Sequence, residues 1–453
     1  MIIDTDYMDK NIFTTINKMA LPVLLSSLVE IIFGIADQAI IGRTSIEGYA
    51  AVGVVANLLY AITGTLGSLS IAFVILFGKA LGSEDEKQKN YIFSTAFSLA
   101  IVILIVVGVI TLVFGRLFLE TFLGLQEDVL EYACDYLAIA GWGVGLNMLI
   151  FLFSAYFKNL KKTYISMAAN IVSLGVNFIV DYTLVFGKFG FPRLGVKGAA
   201  IGTVVGLALN VVIFVIAFQR IKIVKFSFGF KGKELGQLIK LYIPILGQDF
   251  VEATLFIMLV SAMVGRLDTY SIATYNILEV IAAFVILPAH AYGGVAMALV
   301  AENLQKLSKK ELIKYPGVSI VCSEILITIT GLCIIFIPGM LEIITDNAKL
   351  IKQAYDVLLI AVGIQLINAV SQIFKYTLQS TEDERWVFIY SAIVIIMSSV
   401  LICVNLFAVG MGIAGVYAGV GVMYVMMAGG YVVRFLSYKS HRCDTTNNEL
   451  QLR

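Results

Sequence analysis

The feature of this chain that most limits its fold is a single internal repeat. Residues 21–43 read LPVLLSSLVEIIFGIADQAIIGR, and residues 243–266 read IPILGQDFVEATLFIMLVSAMVGR. The matched pairs are Pro22 with Pro244, Val29 with Val251, Glu30 with Glu252, and Gly42-Arg43 with Gly265-Arg266. Residues 133–139 match 354–360 at the same offset of about 220 positions. The repeat therefore predicts two structurally similar halves.

The composition of the chain indicates whether these halves fold in water or in a membrane. Of the 453 residues, 59% are hydrophobic and 14% are charged, whereas about a quarter are charged in soluble globular proteins. Too few charges remain to cover the surface of soluble domains. The stretch from Trp386 to Val433 carries no charge and is long enough for two spans of about 20 residues each. We therefore expect an all-α polytopic membrane protein.

The apolar runs between polar breaks predict twelve transmembrane helices, six in each repeat. The expected spans are 15–43, 47–80, 91–114, 127–158, 163–187, 196–220, 237–265, 268–301, 315–338, 350–379, 385–408 and 413–437. With six spans in each copy, both copies enter the membrane from the same side. We therefore expect two six-helix bundles related by a pseudo-twofold axis along the membrane normal, with a substrate path between them.

The distribution of Lys and Arg among short loops predicts the orientation. The loops richer in these residues alternate with poorer ones and lie on the same side as both chain termini, which we therefore expect in the cytoplasm. The expected domains are 1–220, a cytoplasmic linker at 221–236, 237–438, and a cytoplasmic tail at 439–453. The expected location is the cytoplasmic membrane, and no cleavable signal is visible at 1–10.

Several classes of chemistry find no support in the motifs. The five cysteines have no CxxC spacing and the chain has two histidines, so we expect no structural zinc and no disulfide framework. No GxxxxGK[ST] phosphate-binding motif is present, which argues against ATP hydrolysis within this chain. A nucleophile–base pair is also not evident. We expect a protein that is not an enzyme, holds no cofactor and draws on an ion gradient.

Carboxylates within the spans are the candidate functional residues. Asp37 has apolar neighbours on both sides, and an ionised Asp near a helix centre costs about 2.5–3.5 kcal/mol on insertion scales. Asn177 and Asp181 share one helix face through i, i+4 spacing. Asp37 and Asp181 each precede the outer end of their helix by five or six residues, so we expect them at a similar depth. Together the three side chains could bind a cation through oxygen or share a proton.

A second set of candidates comes from the repeat. Glu30 and Glu252 occupy equivalent positions near mid-span, and Glu30 shares a helix face with Asp37. Glu252 could contact the substrate or an ion in the second bundle. We assign Glu30 to the same candidate set. Glu30 could equally be a cavity-wall residue without an essential role. Basic residues are nearly absent from these spans, which favours a cationic passenger.

The chain resembles the multidrug and toxic compound extrusion (MATE) transporters over nearly its full length. The resemblance depends on the pattern from Asp37 to Gly42-Arg43, on GKALGSEDEKQ at 78–88, and on NFIVDYTLVFGKFGFPRLGVKGAAIGT at 177–203. FVEATLFIML at 250–259 resembles the seventh helix of the NorM branch, in which the glutamate matching Glu252 is implicated in cation coupling. The first half instead resembles the DinF-like branch.

The resemblance implies twelve helices in two bundles, with a V-shaped cleft. It also implies a polar site at Asp37, Asn177, Asp181, Thr203 and Tyr136, with Na⁺ or H⁺ as the coupling ion. The tenth-span aspartate of the NorM branch aligns with Asn368 in IQLINAVSQ. That difference weakens the case for a complete sodium site in the second bundle. The mixture of branch features leaves the coupling ion open.

These observations predict a secondary active antiporter that exports organic cations or drugs in exchange for H⁺ or Na⁺ by alternating access. Its partners are expected to be a cationic amphiphilic small molecule and the lipid bilayer, without nucleic acid, and the chain is expected to act as a monomer. The alternative is a flippase or exporter of lipid-linked or amphiphilic substrates from the same superfamily. Such proteins commonly have more helices and an Arg-rich cavity.

Overall fold

The computed structural model describes residues 10–337, 339–342 and 345–437, and every regular element in that part of the chain is helical. Twelve of the helices are long and apolar enough to cross a membrane. In chain order they are α1 (Lys10–Ile41), α2 (Ile46–Gly82), α3 (Glu86–Thr121), α4 (Glu127–Asn159), α5 (Thr163–Phe186), α6 (Val196–Ile221), α7 (Gly232–Val264), α8 (Thr269–Asn303), α9 (Lys309–Phe336), α10 (Ala348–Ser380), α11 (Glu384–Val409) and α12 (Gly412–Ser437). The expectation of an all-α membrane protein with twelve spans is confirmed.

The observed helices extend beyond several of the expected spans. The largest difference is in α3, which was expected over 91–114 and runs from Glu86 to Thr121. The expected span stops near Arg116, because a hydropathy pattern ends at the first charge. The backbone continues as a helix, since helical hydrogen bonding does not depend on apolar side chains. Exposed Leu117 and Phe118 extend the apolar surface past this arginine.

Side chains at the loop ends explain where several helices begin. Ser45 precedes α2, and its hydroxyl accepts a hydrogen bond from the backbone N–H of Gly48. The carboxylate of Asp268 accepts hydrogen bonds from the first N–H groups of α8. Each side chain satisfies helix-terminal donors that have no partner within the helix. Ser45 and Asp268 follow the equivalent Gly-Arg pairs of the two repeats, so the repeat preserves a capped helix start after this turn.

The described residues divide into two compact units. The first unit is Leu21–Tyr242, and the second contains the described residues before Leu21 together with those from Ile243 onward. The chain changes unit within α1, beside Pro22, and within α7, beside Pro244. A proline inside a helix removes a backbone hydrogen bond and favours a bend. The expected domain limits stay a prediction, and the expected tail at 439–453 lies outside the described residues.

Close packing of α5 on α6 sets the geometry of the first unit. Gly198, Gly202 and Gly206 recur every four residues along one face of α6. A Cβ added to Gly202 would lie 1.8 Å from Oδ1 of Asp181, and one added to Gly206 would lie 2.7 Å from Cβ of Asn177. Small residues at this spacing allow two membrane helices to approach closely. The glycines therefore make room for the polar side chains of α5.

Candidate functional site

A cavity of about 550 Å³ lies within the first unit. Five helices line it: α1, α2, α4, α5 and α6. Its charged lining residues are Glu30, Asp37 and Lys158, and its aromatic residues are Tyr60, Tyr136 and Phe151. Volumes of roughly 300–1,000 Å³, mostly apolar with a few polar groups, are usual for small-molecule sites. The cavity is therefore the first candidate for a binding site.

Two carboxyl groups meet at one end of this cavity. Asp37 on α1 lines the cavity, and Asp181 on α5 lies behind it, within hydrogen-bonding reach of Asp37. Asp181 is 2% exposed, and its Oδ2 accepts a hydrogen bond of 3.0 Å from Nδ2 of Asn177. The i, i+4 spacing expected from the sequence therefore places Asn177 beside Asp181 on one face of α5.

Hydroxyl groups surround the same pair. Tyr136 of α4 is buried, and its hydroxyl lies within reach of that of Thr203 of α6. The hydroxyl of Thr203 also donates to the backbone carbonyl of Ala199, at 3.0 Å. Both side chains line the cavity together with Asp37 and Asn177. The structure thus brings the five residues of the first-half candidate site together, and their functional role stays a prediction.

Within the described part of the chain, the carboxylate pair has no positively charged partner. Oδ1 of Asp37 and Oδ1 of Asp181 are both buried, and neither has a hydrogen-bond partner among the described residues. Two adjacent carboxylates repel each other, so either one of them is protonated or a bound cation compensates their charge. Carboxylate, amide and hydroxyl oxygens are ligands that suit a hard cation such as Na⁺. The arrangement can therefore hold a proton or a small cation.

The structure places Glu30 in the cavity of the first unit, and not with Glu252 as the sequence grouping had it. Oε1 of Glu30 accepts a hydrogen bond of 3.0 Å from Nδ2 of Asn170, which also donates to Oγ of Ser26 at 2.8 Å. Nδ2 of Asn210 donates to Oδ1 of Asn170 at 2.7 Å. These partners were not predicted from the sequence, although Asn170 precedes Asn177 by two helical turns on the same face.

Glu252 has a positively charged partner that the sequence analysis missed. Nζ of Lys375 on α10 lies 2.8 Å from Oε2 of Glu252, and the lysine side chain is 7% exposed. Oε1 of Glu252 accepts a hydrogen bond of 2.9 Å from Gln248, which in turn accepts one from Gln379. The expectation that basic residues are nearly absent from these spans is therefore wrong at Lys375. Both oxygens of Glu252 have partners within the protein.

Asn368 also has hydrogen-bond partners within the second unit. Its Nδ2 donates to Oε1 of Gln365 at 2.9 Å, and its Oδ1 accepts from Nε2 of Gln372 at 3.3 Å. These residues follow one face of α10, on which Lys375 also lies. Among the described residues, no group of three or more His, Cys, Asp or Glu side chains is placed to hold a metal ion. Glu252 thus has a positively charged partner, which the Asp37–Asp181 pair lacks among the described residues.

Comparisons with known proteins agree with the repeated architecture. The family model MatE matches the chain twice, at residues 22–183 and 244–405. The multidrug export protein MepA of Staphylococcus haemolyticus is 25% identical over 402 residues, 83% of each chain. The multidrug resistance protein NorM of Photobacterium profundum is 25% identical over 380 residues, 82% of each chain.

Solved structures share this fold at lower sequence identity. The chain is similar to a crystal structure of MATE in complex with MaL6, with a TM-score of 0.82 at 14% identity, over 94% of this chain and 97% of that one. It is equally similar, with a TM-score of 0.82, to the outward-facing conformation of a multidrug resistance MATE family transporter of the MOP superfamily, at 14% identity over 94% and 96% of the two chains. The two matches to the family model together cover more than half of this chain. The chain therefore belongs to the MatE family of multi-pass membrane transporters and is not an enzyme.

Proposed function

We propose that this protein is a secondary active antiporter that exports organic cations in exchange for H⁺ or Na⁺. The observation that carries the proposal is the pair of carboxyl groups of Asp37 and Asp181. They lie within hydrogen-bonding reach of each other, and each has a buried oxygen without a partner among the described residues. Such a pair binds a proton or a small cation strongly, because the bound positive charge relieves the repulsion between the two carboxylates. The pair therefore suits the ion-binding half of an exchange.

The cavity next to this pair suits an organic cation. Its volume of about 550 Å³ is in the range of small-molecule sites. Glu30 and Asp37 give it negative charge, which Lys158 at another part of the lining offsets only partly. Tyr60 and Phe151 provide apolar surfaces for aromatic or aliphatic groups. Negative potential combined with apolar walls favours a cationic amphiphile.

The names of the relatives support multidrug efflux as the physiological role. The two relatives described above are a multidrug export protein and a multidrug resistance protein, and each aligns with more than four fifths of this chain. No phosphate-binding motif for ATP is present in the sequence. An ion gradient is then the natural energy source. We place the protein in the cytoplasmic membrane, with both termini in the cytoplasm and the monomer as the working unit.

The proposed cycle uses alternating access of the cavity to the two sides of the membrane. In the outward-open state, H⁺ or Na⁺ binds between Asp37 and Asp181 and weakens the hold on a bound organic cation, which leaves. The ion is released to the cytoplasm in the inward-open state. A membrane potential of 100 mV contributes about 2.3 kcal/mol per charge moved, and a tenfold ion gradient contributes about 1.4 kcal/mol. The difference in ion affinity between the two states provides the coupling.

A transport assay with purified protein in proteoliposomes tests this function. Movement of a fluorescent organic cation would be followed under an imposed Na⁺ gradient and, separately, under an imposed pH gradient. We expect one of the two gradients to drive movement, and the Asp37→Asn, Asp181→Asn double variant to abolish it. Gradient-driven movement at the wild-type rate in the double variant would refute the proposal.

A further inference from the structure

Three of the four helices that form the Asp37 site carry a second polar set, displaced by seven residues on each helix. The pairs are Asp37 and Glu30 on α1, Asn177 and Asn170 on α5, and Thr203 and Asn210 on α6. Seven residues are close to two helical turns, or about 10.5 Å along a helix. We call Asp37, Asn177, Asp181, Thr203 and Tyr136 the outer station, and Ser26, Glu30, Asn170 and Asn210 the inner station.

The three displacements lead to the same depth in the membrane, because the helices do not all run in the same direction. The step from the outer to the inner station goes backward in sequence on α1 and α5 and forward on α6. Since α6 returns across the membrane after α5, both directions lead to the same depth. The hydrogen bonds of the inner station confirm this register, because Asn170 contacts Glu30, Ser26 and Asn210 at 2.7–3.0 Å. All four side chains line the cavity.

Two buried oxygen atoms, one in the inner station and one beside it, have no partners among the described residues. Asn210 is 5% exposed and Ser173, one turn from Asn170, is 4% exposed. The Oδ1 of Asn210 and the Oγ of Ser173 are buried and have no hydrogen-bond partner among the described residues. Leaving such polar groups buried and unpaired destabilises the protein. A ligand that satisfies them is therefore stabilised.

Charge identifies the ligand. Glu30 is open to the cavity, and among the described residues it has no ion pair of its own. Its hydrogen bond from Asn170 fixes the direction of the carboxylate, which leaves Oε2 for a ligand. A carboxylate that faces a partly apolar cavity attracts a positive charge. An anion would be repelled by both Glu30 and Asp37.

We propose that the inner station is a second cation-binding site, which takes one monovalent positive charge. The charge is carried either by an organic molecule or by a free inorganic ion. The inference rests on the proposed function only in that the cavity binds cations. With an effective dielectric constant of about 20, two unit charges roughly 10 Å apart repel enough to change affinity on the order of tenfold. Loading the outer station thus weakens binding at the inner station and favours release of its cation.

Equilibrium binding to the purified full-length protein tests this site without any gradient. Ethidium serves as the organic probe in sodium-free choline buffer, and ²²Na⁺ serves as the inorganic probe. The Glu30→Gln variant keeps the shape of the side chain and an acceptor for Asn170 but removes the charge. Glu30→Asp restores the charge, and Glu120→Gln removes an exposed carboxylate that does not line the cavity.

If the inner station holds an organic cation, Glu30→Gln raises the Kd for ethidium about tenfold or more. If it holds an inorganic ion, the same variant binds one Na⁺ fewer than the wild type. In both cases Glu30→Asp recovers much of the loss, and Glu120→Gln behaves as the wild type. Wild-type binding of both probes by Glu30→Gln would overturn the proposal. Failure of coupled transport would refute the proposed function, yet leave this binding result standing.

Discussion

Glu30 and Glu252 occupy equivalent positions in the two repeats, yet their surroundings differ in charge. Glu30 accepts a hydrogen bond from a neutral amide in a cavity that also contains Asp37. Glu252 forms an ion pair with buried Lys375 and accepts a second bond from Gln248. Glu30 therefore keeps its negative charge without an ion pair among the described residues, whereas Glu252 is paired with a lysine.

This difference shows that repeated sequence need not mean repeated chemistry. Removing two charges from water is costly, and a buried pair is tolerated when the partners also receive hydrogen bonds. Lys375 and Gln248 meet this condition for Glu252. Asp181 also accepts a hydrogen bond from Asn177, but Oδ1 of Asp37 and Oδ1 of Asp181 have no partner among the described residues. The positive charge beside Glu252 belongs to a lysine of the chain itself, whereas no lysine or arginine among the described residues is paired with Asp37 or Asp181.

The largest effect is expected from breaking the ion pair of the second unit. Lys375→Met leaves the carboxylate of Glu252 buried without its partner, which costs about 3–5 kcal/mol of stability. The Glu252→Gln, Lys375→Met double variant removes both charges and should recover most of that loss. Thermal unfolding of the purified protein in detergent, read as a double-mutant cycle, measures the coupling.

The matched control for this cycle is the half-exposed pair of Lys197 and Asp135, with an N–O distance of 3.1 Å. Lys197→Met should cost about 0–1 kcal/mol, because water screens exposed pairs. Equal destabilisation by Lys197→Met and Lys375→Met would contradict the contrast between buried and exposed pairs. So would a Glu252→Gln, Lys375→Met variant that is no more stable than Lys375→Met alone.

An intermediate effect is expected from Gly202→Ala in the first unit. The added Cβ would collide with Oδ1 of Asp181, so the carboxylate or the helix must move. Overpacking of this kind costs about 1–3 kcal/mol, and displacing Asp181 should reduce gradient-driven transport more than it reduces stability. Transport rate and unfolding temperature measured on the same preparation separate the two effects.

Gly175→Ala is the control for Gly202→Ala, because no heavy atom lies within 4 Å of its added Cβ. Alanine is also the better helix former, by about 1 kcal/mol. We expect this variant to be as stable as the wild type or slightly more stable, with normal transport. Normal transport in Gly202→Ala as well would mean that the position of Asp181 is not critical.

The smallest effect concerns the equivalent helix caps Ser45 and Asp268. Hydrogen bonds from the hydroxyl and backbone N–H of Ser271 lower the pKa of Asp268 below its usual value. A carboxylate with a lowered folded-state pKa stabilises the fold above its unfolded pKa, and this contribution is lost as the pH falls through the folded pKa. Asp268→Ala should therefore lower the unfolding temperature slightly at neutral pH, and the difference should disappear in acid.

The Ser45→Ala variant provides the comparison across the repeats. A serine cap does not titrate in this range, so its contribution should be unaffected by the same fall in pH. Unfolding temperatures of both variants, measured from neutral pH to an acidic pH of about 3, test the difference. A loss at Asp268→Ala that persists in acid would show that its carboxylate does not act as a charged cap.

The sequence was sufficient for the fold because hydropathy and span length are local properties. Twelve apolar runs gave twelve helices, and the main error in length occurred at α3, where the helix continues past Arg116. Spacing on one helix was also readable. The i, i+4 relation of Asn177 and Asp181 predicted their contact, which the structure contains at 3.0 Å.

The missed contacts join residues that are distant in sequence. Lys375 is the single basic residue in the second half of α10, and its partner Glu252 is 123 positions away. Nothing in the local pattern shows that the two meet. Asn170 could have been found from the sequence, since it lies seven residues before Asn177. Its contacts with Glu30 and Asn210 depend on the packing of three helices.

The central claim is that coupled exchange depends on the free acids of the first unit and not on the compensated pair of the second. It is tested most directly by neutralising each region in the same proteoliposome assay of gradient-driven organic cation transport. We predict that Asp37→Asn with Asp181→Asn abolishes coupled transport, while Glu252→Gln with Lys375→Met retains most of it. Coupled transport that survives the first double variant and is lost in the second would contradict the account.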